Sequence, residues 1–492
     1  MARGDGARSV GGGDGGVGGG RGRAMGGERV GVDGESKPSD RAARGALLRL
    51  AAPLVVSFWM RSLFTFVDTI YASRLGDAAV AATGLAVPLE FTFIAVWIGI
   101  SNGLTAALGE AFGARDQSRI EALLGACRRM TAFLVPAFLG LGIGAWRWAP
   151  RLGLDFEVAH QFGIYAGVIV AGTAMTGFWS IVPDSLVKAH HDTRSTMVAG
   201  IISNLVNLAL NTLFLFVFHW GIFGIALSTV LGRLGGLSYA SHRASGLERA
   251  RKERWARETK SGPVPTYGRT PAVAILALAL PASVSFGLMA AEAGIINRLL
   301  AFQEAATSAI AAYAIYHRMV IFVIMPVVAI SAAALPYYAR AWGRRDLAVI
   351  SRGMQEASAA GVIYMGLVAA PLLWRLAAPI SSFLVQTPEA YDATVFALRL
   401  TPLAGLATIP FLLCRPVFDG MQRGAPGAMM SFLRYGLLTL PLSYGGMICA
   451  PLLGFEPFRG VILGVITAGM ISSMGFLLWT TGALRAARRL EV

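Results

Sequence analysis

Long apolar stretches separated by short polar ones dominate this chain from residue 47 to residue 483. Each stretch reaches the roughly 18 residues that a helix needs to cross the hydrocarbon core of a membrane. Short alternating segments, which are typical of a membrane β-barrel, do not appear. The pattern predicts twelve helices, at 47–73, 79–109, 119–146, 158–187, 195–218, 222–242, 272–300, 307–336, 348–374, 390–414, 427–451 and 458–483.

The two halves of this pattern are related by a repeat. The segment 50–58 (LAAPLVVSF) recurs as 278–286 (LALPASVSF), 228 residues later, and 79–85 (AVAATGL) matches 309–315 (AIAAYAI) at an offset of 230. Six helices return the chain to its starting side, so both halves enter the membrane in the same orientation. We therefore predict an all-α membrane protein whose twelve transmembrane helices form two pseudo-symmetric six-helix bundles. Such a duplication is typical of transporters with a substrate path between the halves.

The formal charge of +15 follows the same topology. Lys and Arg concentrate near both ends of the chain, in 243–269 and in 337–347, whereas the intervening connections are poor in them. This alternation obeys the positive-inside rule and predicts a multi-pass protein of the cell inner membrane with both termini cytoplasmic. A nucleic-acid partner is not expected, because topology already accounts for the charge.

The composition along the chain divides it further. Residues 1–42 are rich in Gly and Arg and have almost no large apolar residues, so we expect them to be disordered. Met25 is an alternative start to Met1. The predicted divisions are a cytoplasmic tail at 1–42, a first bundle at 43–242, a basic cytoplasmic linker at 243–270, a second bundle at 271–485 and a cytoplasmic tail at 486–492.

Asp68 is an ionisable residue inside the first predicted helix, where a charge is costly unless it faces a cavity or a partner. It precedes Gly76, a hairpin tip, by eight residues, and therefore lies ~12 Å below that tip. Asn207 and Asn211 share one face of the fifth helix, and Asn211 and Thr229 lie at a depth similar to that of Asp68. These oxygens suit a hard cation such as Na⁺ or a proton relay. Interhelical hydrogen bonding by Asn and Thr is the structural alternative.

Glu292, in the seventh helix, is the nearest acid of the second half, one helical turn from the position that matches Asp68. We interpret it as a substrate or proton acid, against structural pairing with an arginine. Pro53 and Pro281 occupy matching places in helices 1 and 7 and are candidate hinges, with static kinks as the alternative. The arginines that are candidates for lining the substrate path are Arg61, Arg298, Arg318 and Arg434.

Signals of enzyme chemistry do not appear in the sequence. It has no catalytic triad, no nucleotide fingerprint and no metal-spaced His/Cys cluster, and its three cysteines have no pairing pattern. The adjacent His190 and His191 fall in a connection that we expect to be a solvated loop. We predict that the protein is not an enzyme and has no cofactor and no metal other than a coupling ion.

At this point the chain resembles the MATE (multidrug and toxic compound extrusion) transporters, over residues 45–485. The segments that carry the resemblance are 66–76 (FVDTIYASRLG), 81–88 (AATGLAVP), 207–211 (NLALN), 224–229 (GIALST) and 418–424 (FDGMQRG), with Arg434 downstream. The resemblance implies cation-coupled antiport, in which a substrate leaves as protons or sodium ions enter. It also implies that Asp68 is the coupling acid, with partners that match Asn207, Asn211 and Thr229.

The chain departs from the family pattern at Asn211, where archaeal and bacterial members commonly have aspartate. One obvious carboxylate then remains in the site, and a desolvated aspartate binds a proton readily, whereas sodium would rely on neutral oxygens. We therefore prefer H⁺ over Na⁺ as the coupling ion. Glu292 resembles the seventh-helix acid of some members.

The predicted function is a monomeric antiporter in the lipid bilayer that exports small organic molecules or drugs by alternating access. One alternative is a flippase for a lipid-linked oligosaccharide, whose pyrophosphate the arginines would suit, although such proteins usually have more helices. Another is a membrane-embedded enzyme, which should show a catalytic cluster near a membrane surface. The sequence leaves the substrate's identity and charge open.

Overall fold

The computed structural model describes residues 45–153, 155–257, 269–385 and 387–490. The side chains of residues 61–70, 77 and 490 are outside this description, and with them those of two predicted site residues, Arg61 and Asp68. The predicted tail at 1–42 also lies outside the described residues.

Twelve helices cover the described part of the chain, and each of them contains one of the predicted helices almost entirely. They are α1 (Ala46–Ser73), α2 (Asp77–Gly113), α3 (Gln117–Trp148), α4 (Phe156–Ala189), α5 (Thr193–Thr212, then a π-helical stretch Leu213–Val217), α6 (Gly221–Arg257), α7 (Pro271–Leu300), α8 (Ala306–Gly343), α9 (Leu347–Leu384, with a π-helical stretch Tyr364–Ala369), α10 (Pro388–Gly420), α11 (Ala425–Leu452, with a π-helical stretch Phe432–Leu438) and α12 (Pro457–Leu490).

Ten of these helices are long and apolar enough to cross a membrane by length and composition. The other two are α1, with 28 residues, and α11, which is continuous through its π-helical stretch. A helix of 28 residues is ~42 Å long, more than the hydrocarbon core requires. The prediction of an all-α, twelve-helix membrane protein is confirmed.

The six-helix repeat reappears in the packing. In the first half α1 packs on α5, α2 on α4, α3 on α4, α4 on α6 and α5 on α6. In the second half α7 packs on α11, α8 on α10, α9 on α10, α10 on α12 and α11 on α12. Each of these five contacts of the first half therefore has a counterpart six helices later, as expected of two pseudo-symmetric bundles.

Short turns of similar geometry connect the helices at one end of the bundles, which we call the near end. Arg115 and Arg345 follow α2 and α8 in the left-handed conformation, and His191 and Gln422 do so after α4 and α10. In three of these turns the next helix begins with an aspartate whose side chain accepts a backbone N–H bond. Such caps satisfy N–H groups that the first turn of a helix leaves free. The opposite end, where α1 meets α2, is called the far end.

The halves touch through α1–α8, α2–α7 and α2–α8. Glycines allow the closest approach, because a Cβ added to Gly113 would collide with the Arg340 carbonyl, and one added to Gly343 would collide with the Glu110 carbonyl. These residues end α2 and α8, so the crossing lies at the near end.

Helix α6 continues through the first part of the predicted linker, as far as Arg257. The added segment is rich in Ala, Glu, Lys and Arg, which favour helix, and contains no proline. Arg251 within it is buried, donates to Glu248 and to Gln117 of α3, and stacks on Trp255 at 4.4 Å. Packing against the end of α3 therefore stabilises a segment that hydropathy alone assigns to a loop.

Candidate ion and substrate sites

The first polar cluster joins α5 to α6 in the first half. The Asn207 amide donates to Thr229 Oγ1 at 3.1 Å, and the Asn211 amide donates to Asn207 Oδ1 at 3.3 Å. Ser228 Oγ donates to Asn211 Oδ1 at 2.5 Å. Asn211 and Ser228 are fully buried. The structure thus brings together three of the four predicted coupling residues and adds Ser228, which the sequence analysis missed because serine is common in apolar helices.

The fourth predicted residue, Asp68, belongs to α1, and its side chain lies outside the described residues. Three residues further along α1, the Tyr71 hydroxyl lies 2.7 Å from Thr212 Oγ1, next to Asn211 on α5. The π-helical stretch of α5 begins at Leu213, immediately after these residues. Stretches of this kind are frequent at functional sites, because they redirect side chains within a helix.

A second polar layer lies deeper in the first half. Tyr165 of α4 donates to Glu90 of α2 at 3.3 Å, and the Arg233 guanidinium of α6 donates to Thr173 of α4. Glu90, Thr173 and Arg233 line a cavity of about 10 Å³. That volume is close to the minimum that one water molecule requires. The sequence shows Arg233 within the sixth predicted helix. Its position along that helix does not indicate that Thr173 of α4 is its partner.

The polar cluster of the second half contains Glu292, which is only 8% exposed. Thr439 Oγ1 of α11 lies 2.9 Å from Glu292 Oε1 and 2.8 Å from the Arg434 carbonyl oxygen. A hydroxyl has one hydrogen, so Thr439 can donate to the carbonyl while it accepts from a protonated Glu292. The cluster can therefore hold Glu292 in either protonation state.

Arg434, in the π-helical stretch of α11, supplies the positive charge that acts on Glu292. It is 8% exposed, donates to Thr408 Oγ1 at 3.3 Å, and stacks at 5.1 Å on both Phe411 and Tyr435. Within the described part of the chain, its Nε and Nη1 have no hydrogen-bond partner. This guanidinium is thus a buried cation near a buried acid, and two of its nitrogens are not bonded to any described residue.

The remaining sequence candidates lie elsewhere. Arg298 and Arg318 are exposed, and Arg298 stacks on Phe302 at 5.4 Å. Pro53 and Pro281 lie inside α1 and α7, where the sequence placed them. Of the four predicted path arginines, the structure brings only Arg434 together with Glu292; the Arg61 side chain is not described.

The expectation that His190 and His191 are solvated is wrong. His190 lies 2.7 Å from Glu248 of α6, and the His191 ring lies 6.0 Å from that of Tyr337 on α8. Burial lowers the pKa of His191 to about 3, and the positive charge of Arg340 adds to this effect. Arg340 of α8 also donates to the Ala189 carbonyl at 2.6 Å. The near-end turn is partly buried because it contacts the other half, which local sequence does not reveal.

Comparison with known proteins agrees with this arrangement. The chain is 26% identical over 323 residues to a probable multidrug resistance protein of Bacillus subtilis, a match that covers 63% of this chain and 66% of that one. It is 20% identical over 444 residues to a FAD transporter of Shewanella oneidensis, covering 85% and 92%. A match to the mouse multidrug and toxin extrusion protein 2, at 24% identity, covers 40% of this chain and only 34% of that protein.

Solved structures show the same fold. A MATE transporter of Vibrio cholerae superposes with a TM-score of 0.78 at 20% identity, covering 91% of this chain and 98% of that one. A MOP superfamily transporter from Pyrococcus furiosus superposes with a TM-score of 0.77 at 19% identity, covering 92% and 99%. The MatE family model matches residues 53–213 and 281–445, one copy in each half. The chain therefore belongs to the MatE family of membrane transporters.

Proposed function

We propose that this protein is a cation-coupled antiporter that exports small organic molecules or drugs, with H⁺ preferred as the coupling ion. The observation that carries the proposal is the first-half cluster, in which buried amide and hydroxyl groups of α5 and α6 gather beside α1. Asp68 of α1 would supply the one carboxylate. A cluster of neutral oxygens around one acid favours a proton over sodium, because a single desolvated carboxyl group binds a proton by itself, whereas sodium would need the neutral oxygens for its remaining ligands.

The substrate class rests on family membership and on the names of the relatives. Proteins of Bacillus and of mouse that match this chain are named for drug or toxin efflux. Membership of a transporter family argues against an enzyme, and the described residues contain no group of three or more His, Cys, Asp or Glu that could hold a metal ion. The distribution of Lys and Arg along the chain predicts that the protein lies in the inner membrane with both termini on the cytoplasmic side.

A second substrate class has an observation in its favour. The Nε and Nη1 groups of Arg434, which have no hydrogen-bond partner among the described residues, can bind an anionic group. One relative that matches over most of its length is named a FAD transporter. A substrate test should therefore include flavin adenine dinucleotide as well as cationic drugs.

Alternating access is supported by the contacts between the halves. The described cross-half contacts of α2 and α8 close the near end, through the glycine crossing and through Arg340 and His191. We assign this arrangement to the state that is closed at the near end; transport then requires these contacts to break.

The coupling ion is tested by reconstitution. Purified protein in proteoliposomes is supplied with a substrate panel, including FAD and organic cations, under a proton gradient alone and under a sodium gradient alone. We expect uphill export with the proton gradient and little with sodium. Export driven by sodium alone would overturn the preference for protons, and equal transport without any gradient would overturn antiport.

Alternating access is tested by locking the near end. His191→Cys and Tyr337→Cys place one thiol on each half, in a background where the exposed Cys449 is replaced by Ser. A reducible bifunctional thiol reagent that joins the two cysteines should cut transport at least ~10-fold, and a reducing agent should restore it. Each single-cysteine variant is the control. Unchanged transport in a fully cross-linked sample would contradict the mechanism.

A further inference from the structure

A groove of about 340 Å³ lies in the second half, away from both polar clusters. It is formed by Trp374 of α9, by Asp392, Phe396 and Arg399 of α10, and by Arg459 of α12. Helix α9 ends at the far end, and α10 and α12 begin there. The groove therefore opens near the far-end surface of the membrane.

The groove faces the bilayer rather than the space between the halves. Ala397 and Thr401 lie on the other side of α10 and are completely buried, and Ala397 packs in a core with residues of α8. Asp392 and Arg399 are exposed, and Trp374 is 62% exposed. Arg399 lies ~16 Å along α10 from the start of the helix, which places it within the apolar layer of the membrane. Asp392 lies only ~6 Å from the start, which places it close to the boundary of that layer.

Both arginines of the groove rest on aromatic rings. The Arg399 guanidinium lies 4.9 Å from the centre of the Trp374 ring, and that of Arg459 lies 4.9 Å from the centre of the Phe396 ring. Stacking holds each guanidinium in place and leaves its edge N–H groups free for an anion. The Arg459 Nε is turned towards Glu456, whose Oε2 lies 3.5 Å away, so the Nη groups are the ones that remain for an anion.

The charges of the groove are only partly paired by protein. Arg459 has an ion pair with Glu456 at 3.5 Å. Among the described residues, neither Arg399 nor Asp392 has an ion-pair partner. Unpaired ionic groups at the edge of the hydrocarbon layer are costly. A ligand that carries one anionic and one cationic group would satisfy both of them.

In the corresponding region of the first half, the equivalent helices pack closely against each other. There α3 and α4 cross closely, and a Cβ on Gly142 would lie 2.9 Å from the Ala171 nitrogen and 3.0 Å from the Gly167 carbonyl oxygen. In the second half, the bulky side chains Trp374 and Arg399 face the groove between the equivalent helices instead. The residues at this helix crossing therefore differ between the halves, with glycines in the first half and Trp374 and Arg399 in the second.

We propose that this groove binds one phospholipid with a zwitterionic, amine-bearing head group of the phosphatidylethanolamine class. Its phosphate lies between the guanidiniums of Arg399 and Arg459, its ammonium group lies at Asp392, and an acyl chain follows Trp374 along the outside of α10. The site is independent of the proposed transport function, because none of its residues belongs to either polar cluster.

The test measures lipid retention on the delipidated full-length protein by native mass spectrometry. Phosphatidylethanolamine and phosphatidylglycerol are added in equal amounts. The wild type should retain one phosphatidylethanolamine with at least ~10-fold preference, since one satisfied charge pair accounts for about that factor. Arg399→Gln and Arg459→Gln, singly and together, should weaken the binding of both lipids at least ~10-fold, because both lipids carry the phosphate group. Arg375→Gln, next to Trp374 but outside the groove, is the matched control.

Two further arms identify the head group and its source. Asp392→Asn should bind both lipids equally, because only the ammonium contact is removed. Millimolar inorganic phosphate should not displace the lipid, and displacement would show that the groove takes a soluble anion instead. Equal lipid retention by wild type and by the arginine variants would overturn the proposal. Size-exclusion profiles establish that each variant is folded, and the single exchanges serve if the double variant cannot be purified.

Discussion

In the first half, the described polar side chains of α5 and α6 are amides and hydroxyls that bond to one another, whereas in the second half Glu292 of α7 lies beside Arg434 of α11. Helices α5 and α11 are equivalent in the repeat, and both contain a π-helical stretch next to their polar residues. In the sequence alignment of the halves, Thr439 matches Asn207 and Ser443 matches Asn211.

This difference shows that duplication preserved the scaffold but not the chemistry. Ser443 is fully buried, and its hydroxyl has no partner among the described residues, whereas Asn211 at the matching place is hydrogen-bonded to two neighbours. The second half has a built-in cation in Arg434, which disfavours a metal cation beside Glu292. We infer that the first half is the place of ion coupling and that the second half responds to protons or to substrate charge.

The largest expected effect comes from breaking the charge pair of the second half. Arg434→Met removes the positive charge that acts on the buried Glu292 and should cost about 2–3 kcal/mol of unfolding free energy, the size of a charge interaction across several ångströms. The double variant Glu292→Gln/Arg434→Met should recover most of this loss, because the two exchanges are coupled. Thermal unfolding in detergent measures both, with the exposed Arg298→Met as control. Additive losses would show that the two side chains do not interact.

Exchange of the acid in the first half should instead abolish coupling without a comparable loss of stability. Asp68→Asn is expected to reduce proton-driven export about 100-fold, and Glu292→Gln is expected to reduce it about 5- to 10-fold. Both factors correspond to free energies in the range that is usual for coupling between two sites. Transport in proteoliposomes is the measurement, and Glu389→Gln, at an exposed position at the start of α10, is the control. Undiminished export by a normally expressed Asp68→Asn protein would remove ion coupling from the first half.

A third change tests whether Asn211 sets the choice of ion. Asn211→Asp adds a second carboxylate to the cluster and should increase the apparent affinity for sodium about 10-fold, since ligand charge controls cation affinity. Sodium-dependent export and sodium-dependent stabilisation in a thermal shift assay both report it. Asn211→Ser, which copies the residue of the second half, is the matched control. If Asn211→Asp responds to sodium no better than Asn211→Ser, the ion preference has another origin.

The smallest expected effects come from a matched pair of hydroxyl deletions. Thr229→Val removes a hydrogen bond to a neutral amide and should cost about 1 kcal/mol. Thr439→Val removes the hydroxyl beside Glu292 and should cost about 2 kcal/mol, because a hydrogen bond to a charged group is stronger. Thermal unfolding of the two variants distinguishes the clusters. Equal losses would indicate that Glu292 is protonated under the conditions of measurement.

Much of the fold was predictable because the bilayer imposes a simple rule on the sequence. Twelve apolar stretches, two copies of a helix 1 motif and an even helix number per half were sufficient to predict the bundles. The extension of α6 to Arg257 was missed, because polar helices outside the membrane carry no hydropathy signal. The burial of His191 was missed for a related reason, since the residue is covered by α8 of the other half.

The candidate sites divide in the same way. Depth along the helices and residue type indicated Asn207, Asn211, Thr229 and Glu292, because an intramembrane polar group needs a partner. The sequence alone thus determined the helix number, the duplication and the set of costly polar residues, all of which depend on local composition. Only the tertiary structure decided that Arg434 rather than Arg298 or Arg318 accompanies Glu292, and that a groove opens beside Arg399. Those outcomes depend on how helices distant in sequence cross, which no local pattern specifies.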